Sequence, residues 1–569
     1  MKIKSLLQQV NKDTFIQDYV GACGVDDVQE YLNPKGKYVD DPIEYENIQK
    51  GLKLINELIS KRSEDNIYIV QDCDVDGICS ATLMYKFLIY IGIHPDRIDV
   101  LFHNNKKHGL SDEIMDRICH NMIAYWSFDS KPLIILPDAG TNDKAQCKEL
   151  VELGCKILVI DHHDREKHNP YATIINNQTS PNIHNKNLSG TGVVWKFITA
   201  YCKEYLDNDQ FYLDFIDLVN FANLADVMDM RSYENRCIGK WAINIKNPFL
   251  KYLCKKHIKD DPINPTTLVW KVVPRLNAVC RLGDKDKHMD IKESVFDAFV
   301  YDDVIGEQDF YKEVNKNISS AYNEQKRIVK SLYEKIISTH KPTDNKIEIV
   351  TIDNTPYTGL IANKLMEHYN KPILLVHDQN NTLSGSLRSP YPLKDALNKS
   401  GLATCQGHEQ ACGVYWNKDD TEQLIEYCNN LDMQNPVIEV CCSYKPHEIP
   451  HDIFGAFDEW NYIYATGIPY PQFYVSPIYI TNKDIRIMGA NNSTIKFTYQ
   501  GVDYIKFSIS QADKKALFID DNNVDKEIPL EIEVVGKLQV NWWRGKKSEQ
   551  VLVERFECRE HERTLSGLW

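Results

Sequence analysis

Lys156-Ile157-Leu158-Val159-Ile160-Asp161-His162-His163 runs a short aliphatic stretch straight into an acid and a pair of imidazoles. Two earlier stretches end in a similar way. Ile67-Tyr68-Ile69-Val70 leads into Gln71-Asp72-Cys73-Asp74-Val75-Asp76-Gly77, and Leu133-Ile134-Ile135-Leu136 leads into Pro137-Asp138-Ala139-Gly140. Each is short, rich in branched side chains and flanked by helix-like sequence, the pattern of a buried parallel strand. In open α/β sheets, ligands bind beyond the carboxyl ends of the strands. Three strand ends crowded with Asp and His therefore predict a divalent-metal site, because so much uncompensated negative charge repels itself.

A chain of 569 residues is too long for one core, and three to four domains are expected. Hydrophobic residues at 43% and charged residues at 26% fit a soluble globular protein. No apolar stretch of about 18 residues is present to span a bilayer. The start, Met1-Lys2-Ile3-Lys4-Ser5, lacks a signal-peptide core, so a cytoplasmic location is expected. The 16 Cys include no Cys-x-x-Cys pair and read as reduced thiols. A net charge of −15 says little about local fields, and two cations would offset part of it, so composition neither supports nor excludes a DNA substrate.

The texture of the sequence divides it further. Residues 1–60 read as a helical extension, with Ile48, Leu52, Ile55 and Leu58 on one face of a helix. Residues 61–245 alternate strand and helix, the mark of a parallel sheet covered on both faces. A linking region occupies 246–304. Residues 305–340 lack Pro and Gly and predict a long connecting helix of about 30 residues. A second α/β unit is expected over 341–440, with strands near Lys346–Ile352, Ile373–Val376 and Gly413–Trp416. Over 450–560, five or six short alternating strands suggest a small barrel of the oligonucleotide-binding kind.

Asp72-x-Asp74-x-Asp76-Gly77 admits several readings. A calcium loop of the EF-hand type wants Glu at its twelfth position, which here is Leu83, and a helix rather than a strand before it. A phosphatase strand ending in Asp-x-Asp, with the first carboxylate as nucleophile, fits locally but leaves His162 and His163 without a task. A solvated acidic turn would explain one such motif, not three strand ends. A two-metal phosphoesterase accounts for all of them. Imidazole beside carboxylate suits Mn²⁺ or Mg²⁺, and the lack of thiolate spacing argues against zinc. Asp226 lies in the mostly apolar helix Val219–Asp229, where a buried acid needs a partner and the metal cluster is the obvious one.

Taken together, these residues resemble the DHH phosphoesterase superfamily and, within it, the RecJ single-stranded-DNA exonucleases. Leu188-Ser-Gly-Thr-Gly192 resembles the family's Gly-rich turn, and Leu224-Ala-Asp226-Val with Glu234-Asn-Arg236 its fourth acidic motif. Pro274-Arg275-Leu-Asn277-Ala-Val-Cys280-Arg281 resembles the RecJ core signature, with Cys280 where Gly is usual. Thr358-Gly359, Gly385-Ser386-Leu-Arg388-Ser389 and Gly407-His408 through Gly413 resemble the DHH-associated domain. Val540-Asn-Trp542-Trp-Arg544-Gly resembles the last strands of the RecJ oligonucleotide-binding domain. The implied architecture is α/β: a parallel-sheet DHH domain and a DHH-associated α/β domain joined by a long helix, then an OB-like β-barrel.

The resemblance also implies roles. Asp76, Asp138, His162 and Asp226 would hold one cation, Asp138 would bridge to a second, and Asp74 with Asp72 would complete that second site. His163 would contact the scissile phosphate, with Asp161 as a positioning group. Lys106, Arg281, Ser386 and Arg388 would bind the 5′-terminal phosphate, and His408 would face the cleft. Trp542, Arg544 and Lys546 would contact single-stranded DNA, with one of Trp542 and Trp543 buried. The expected reaction is two-metal hydrolysis of single-stranded DNA from the 5′ end to 5′ mononucleotides, with Mn²⁺ or Mg²⁺. A helicase and a single-strand-binding protein are the expected partners, and a monomer the expected state. In the family, a His commonly stands where this chain has Val70, and an Arg where it has Lys106. A DHH enzyme acting on short oligonucleotides or cyclic dinucleotides would not need the C-terminal barrel. A non-catalytic RecJ-like scaffold would have lost ligands that are present here.

Overall fold

The computed structural model describes residues 1–561 apart from 61–64, 105, 126–130, 208, 284–285, 302–306, 434–436, 490–491, 521–522, 524 and 544–545; the side chains of 60, 123–125, 286–287, 307 and 543 are likewise left undescribed. The chain divides into two units, Val25–Gln325 with Tyr462–Pro469, and Met1–Gly24 with Lys326–Asn461 and Tyr470–Trp569.

In the first unit the strands β1 (Ile67–Gln71), β2 (Ile98–Phe102), β3 (Leu133–Pro137), β4 (Lys156–Asp161) and β5 (Thr173–Asn176) form one parallel sheet in the order β2-β1-β3-β4-β5. Every residue of β1 and β3 is buried. Successive side chains of a strand point to opposite faces, and here each face has its own core. Ile67, Ile69, Leu133, Ile135, Leu158 and Ile160 pack on one side. Tyr68, Val70, Ile134, Leu136, Ile157 and Val159 pack on the other. Each such aliphatic side chain contributes roughly 1.5–3 kcal/mol on full burial, which is why these runs carry no polar residue until they end. The strand order reverses between β1 and β3, and such a switch point is where doubly wound sheets bind ligands.

Helices α1 (Val75–Tyr90), α2 (Gly190–Tyr205) and α3 (Ile216–Ala225) pack against one another on the first of those faces. Farther along run α4 (Val273–Cys280), α5 (Asp286–Val300) and the 33-residue α6 (Glu307–Thr339). Tyr311, Val314, Ile318 and Ala321 of α6 join the core of the first unit. Val329 and Ile336, later in the same helix, pack with Ile361, Leu365 and Ile373.

The second unit contains a five-stranded sheet of β6 (Glu348–Thr351), β7 (Ile373–Gln379), β8 (Thr382–Arg388), β9 (Ala403–His408) and β10 (Ala411–Asn417), ordered β9-β10-β8-β7-β6. Only β6 and β7 are parallel. Two of these strands, β8 and β9, were not expected from the sequence. The turn between β7 and β8 is Asn380-Asn381, with φ of 51° and 67°. That is the left-handed pair a two-residue hairpin turn requires, and Asn tolerates it.

The C-terminal sheet has seven strands, ordered Cys442–Tyr444, Phe473–Thr481, Pro529–Trp543, Lys546–Glu560, Val502–Phe507, Thr494–Tyr499 and Arg486–Met488. Among the described residues its two end strands do not pair with each other. Two of the strands, Pro529–Trp543 and Lys546–Glu560, form a hairpin with 15 residues in each arm, longer than the short strands expected. Its register shifts between Val535 and Gly536, and a Cβ on Gly536 would lie 2.5 Å from Leu552 O. An irregularity of that kind bends a long strand. The chain start departs from the expected helical extension: Ile3–Ser5 pairs in parallel with Ile438–Val440, and residues 1–24 group with the second unit. Pairing between segments so far apart leaves no local signal in either.

Candidate metal centre

Asp74 is the N-cap of α1, its carboxylate accepting from Gly77 N at 3.0 Å. This is the usual task of Asp before a helix, and it turns the chain sharply away from β1. Gly77 is needed at that turn, since a Cβ there would lie 2.4 Å from Asp72 O. Asp76, in the first turn of α1, is buried and accepts from Gly190 N and Thr191 N, both at 2.8 Å. Those two amides open α2, whose N-cap is Ser189. A helix start offers free N–H groups and favours negative charge. The Gly-rich turn therefore holds Asp76 with main-chain donors.

Asp138 follows β3 with φ +73°, a left-handed backbone that non-glycine residues rarely adopt. Its Oδ1 is buried, has no hydrogen-bond partner and lies 3.3 Å from His162 Nε2. The same imidazole nitrogen is 3.5 Å from Asp226 Oδ2 and 3.9 Å from Asp76 Oδ2. Asp226 caps the C-terminus of α3, and the next residue, Val227, has φ +58°. A β-branched residue in that region is strained, and such strain tends to collect at functional sites. Asp72 is buried beside them, with its Oδ1 unpartnered.

Potential ligand atoms of Asp76, His162 and Asp226 lie within 4.8 Å of one another, as do those of Asp72, Asp74 and Asp138, and those of Asp138, Asp161, His162 and His163. Burial, then the charges of Asp76, Asp74, Asp72 and Asp226, push the Asp138 carboxyl well above the usual range. Burial, then Asp76 and Asp74, do the same to Asp226. Burial also raises Asp72 against the pull of His108. These acids destabilise one another as anions, and a divalent cation among them reverses that balance. The unpartnered Asp138 and Asp72 oxygens and the oxygen-rich donor set with one imidazole fit Mn²⁺ or Mg²⁺. Burial and the neighbouring His163 lower His162, which keeps its Nε2 lone pair available for a metal.

Asp161 is buried and accepts from Thr141 N at 3.0 Å, His162 N at 2.7 Å and His163 Nδ1 at 2.8 Å. Burial alone would lower His163, but Asp161 overrides it and brings that imidazole up to about 10. The half-exposed His163 thus presents a charged ring beside the acids.

A cavity of about 240 Å³ is lined by Asp74, Asp76, Asp226, Lys106, His108, Asn277 and Arg281, among others. Lys106 and Arg281, expected as phosphate contacts, are thus brought to the acids. Asn277 also faces the cavity, with a buried Oδ1 that has no hydrogen-bond partner. His108 was not singled out from the sequence, although it sits in the same short loop as Lys106. Its Nδ1 lies 2.7 Å from Asp72 Oδ2. Cys280 does not disturb the turn to Arg281: it ends α4 in the core, and Arg281 follows with an ordinary φ of −89°. Val70 packs in the apolar core and offers no ligand.

In the second unit, Ser386 and Arg388 lie on β8 and His408 on β9; in register, Ala411 of β10 pairs with both Arg388 and His408. Thr358 Oγ1 is 2.8 Å from Ser386 Oγ. A Cβ on Gly359 would lie 2.5 Å from an Arg388 guanidinium nitrogen, so this glycine makes room for the arginine at the start of the helix Thr358–Tyr369. No side chain caps that helix. Gly385 is required by strand packing: a Cβ there would lie 2.0 Å from Leu375 O on the neighbouring strand. Trp542 is 67% exposed and Lys546 is exposed, whereas Arg544 and the side chain of Trp543 lie outside the described residues.

A carboxylate and imidazole cluster at the switch point of a parallel sheet makes this an α/β domain with a candidate metal centre. Residues 66–221 match the DHH family, N-terminal domain, and residues 459–555 match the RecJ OB domain. The chain is 28% identical over 94% of its length, and 94% of the relative's, to the SPbeta prophage-derived protein YorK of Bacillus subtilis strain 168, named as a candidate single-strand DNA-specific exonuclease. It is 24% identical to the single-stranded-DNA-specific exonuclease RecJ of the same organism, over 97% of this chain and 69% of that one. Its fold matches RecJ of Thermus thermophilus in complex with Mn²⁺, with a TM-score of 0.71 at 18% identity, covering 99% of this chain and 79% of the other. Among the described residues no helix is long and apolar enough to cross a membrane.

Proposed function

We propose that this chain is a single-strand-DNA-specific exonuclease that uses two divalent cations to hydrolyse the strand from its 5′ end and release 5′ mononucleotides. The observation that carries this reading is the meeting of Asp74, Asp76 and Asp226 with Lys106 and Arg281 around one cavity. Acids suited to cations and cations suited to a phosphodiester face the same space.

Asp76, Asp138, His162 and Asp226 would hold one cation, and Asp72, Asp74 and Asp138 a second. When bound, such a pair of cations lowers the pKa of a water and offsets charge on the phosphoryl oxygens. His163, kept charged by Asp161, donates to a phosphate oxygen. Lys106 meets the phosphate as a point charge, and the Arg281 guanidinium as a fork of paired donors. Ser386, Arg388 and His408, with the uncapped amides of Thr358 and Gly359, receive the 5′-terminal phosphate. The direction of digestion follows from that contact, because the cations themselves do not distinguish strand polarity. Trp542 stacks on bases, and Arg544 and Lys546 meet phosphates. The substrate is single only after strand separation, so a helicase and a single-strand-binding protein are the fitting partners, in recombination, repair or replication.

Digestion of 5′-labelled and 3′-labelled single strands with Mn²⁺, beside Asp138→Ala, tests this. Release of the 5′ label first, abolished by the substitution, is expected. Release from the 3′ end, or undiminished activity of Asp138→Ala, overturns it.

A further inference from the structure

The Asp72 carboxylate has two unlike oxygens. One, Oδ2, is 2.7 Å from His108 Nδ1, and the other, Oδ1, is buried without a hydrogen-bond partner. The other ring nitrogen of His108, Nε2, lies 3.6 Å from Cys73 Sγ. The same sulfur is 3.7 Å from Nδ1, so the thiol lies beside the ring, whose close polar partner is Asp72.

The loop that carries His108 is anchored at both ends. Buried Lys292 on α5 donates to His103 O, and also to Leu282 O at 2.9 Å. Leu110 N donates to Asp143 Oδ2 at 2.7 Å. Gly109, between them, has φ +59° and would place a Cβ 2.2 Å from the same Asp143 oxygen. The imidazole is therefore set in place by its surroundings as well as by Asp72.

Resting on the two-cation reading above, we propose that His108 is a positioning residue of the metal centre: it grips Asp72 Oδ2 and turns Oδ1 to the cation shared with Asp74 and Asp138. The candidate ligands for that cation, Asp72, Asp74 and Asp138, are all carboxylates, and Val70, packed in the core, adds no donor. With no imidazole of its own, its site depends on how firmly those carboxylates are oriented. Partners that orient a metal ligand typically change affinity by about 10–100-fold when removed.

The test is calorimetric titration of the full chain with Mn²⁺, in the wild type, His108→Ala and His108→Gln. The wild type binds two ions. His108→Ala weakens one of them about 10–100-fold and leaves the other unchanged. His108→Gln, whose amide can still donate to Asp72, stays within about threefold of the wild type. The electron spin echo spectrum of bound Mn²⁺ shows nitrogen from a single imidazole, His162, and the same signal in His108→Ala. A wild type that binds fewer than two ions overturns the two-cation reading and this inference with it. Two ions bound equally tightly by His108→Ala overturn this inference alone. Loss of a nitrogen signal in His108→Ala also overturns it, by making His108 a ligand.

Discussion

The polar clusters around Asp138 and around Arg388 differ in charge, burial and setting. The centre of the first unit is anionic and largely buried, and it is assembled from the ends of strands and helices whose interiors are aliphatic. The cluster around Arg388 is cationic and more exposed, and it lies on neighbouring strands of a mainly antiparallel sheet. Buried acids that raise one another's pKa create a strong demand for cations. An arginine over a glycine at a helix start creates a milder demand for an anion. On the proposed function, the contrast separates a place where bonds would be broken from a place where an end would be recognised.

Substitution of Asp138 should separate them most. Asp138→Asn is expected to lower turnover at least about a thousandfold by removing the shared ligand. The same change should raise the unfolding midpoint of the metal-free protein by a few degrees, because it removes one mutually repelling charge. A midpoint that falls would break the picture of acids in conflict. Arg388→Ala should reduce the preference for a 5′-phosphate over a 5′-hydroxyl end by about 100-fold while Mn²⁺ binding stays as it was. Steady-state assays on the two kinds of end, beside a metal titration, check this, and a coupled loss of metal would erase the division of labour. Trp542→Ala should weaken single-strand binding by about tenfold, the scale of one lost base stack, without changing turnover of a saturating short strand. Fluorescence anisotropy gives that number.

A separate effect concerns acid stability. Burial, then the positive charges of His108 and Lys292, bring His103 down to about 3, from an ordinary value of about 6.5. The folded protein therefore keeps this ring neutral where the unfolded chain protonates it. Stability is unaffected above about pH 6.5 and falls as pH drops towards 3, by at most about 1.4 kcal/mol per pH unit from this group. Urea titrations across that range should show the slope flattened in His103→Gln, and an unchanged slope would remove His103 as its source.

The same contrast governs how much the sequence reveals. The strand ends of the first unit were legible because aliphatic runs stop at charged residues, a local signal at Asp72, Asp138 and His162. Glu307–Thr339 was legible for the opposite reason, a long stretch without breakers. His108 was not legible, since its task is defined only by a loop folding back onto Asp72. Nor were β8 and β9, in which Ser384, Gly385, Ser386 and Gly407 lower strand propensity and the pairing is decided by neighbours. In the long hairpin near the C-terminus only a short strand in each arm was legible, and the first arm runs on past Gly536, which is placed there by a close carbonyl across the ladder.

The hold on Asp76 has a further implication for how this centre tolerates change. Its donors are the amides of Gly190 and Thr191, and an amide is encoded by no particular side chain. Short of proline, exchanging residues along the start of α2 cannot delete them. What can fail is the space: a Cβ on Gly190 would lie 2.2 Å from Asp138 Oδ1. At this position the chain is vulnerable to the gain of an atom rather than the loss of one, so an alanine scan would find its largest effect at the residue with the smallest side chain.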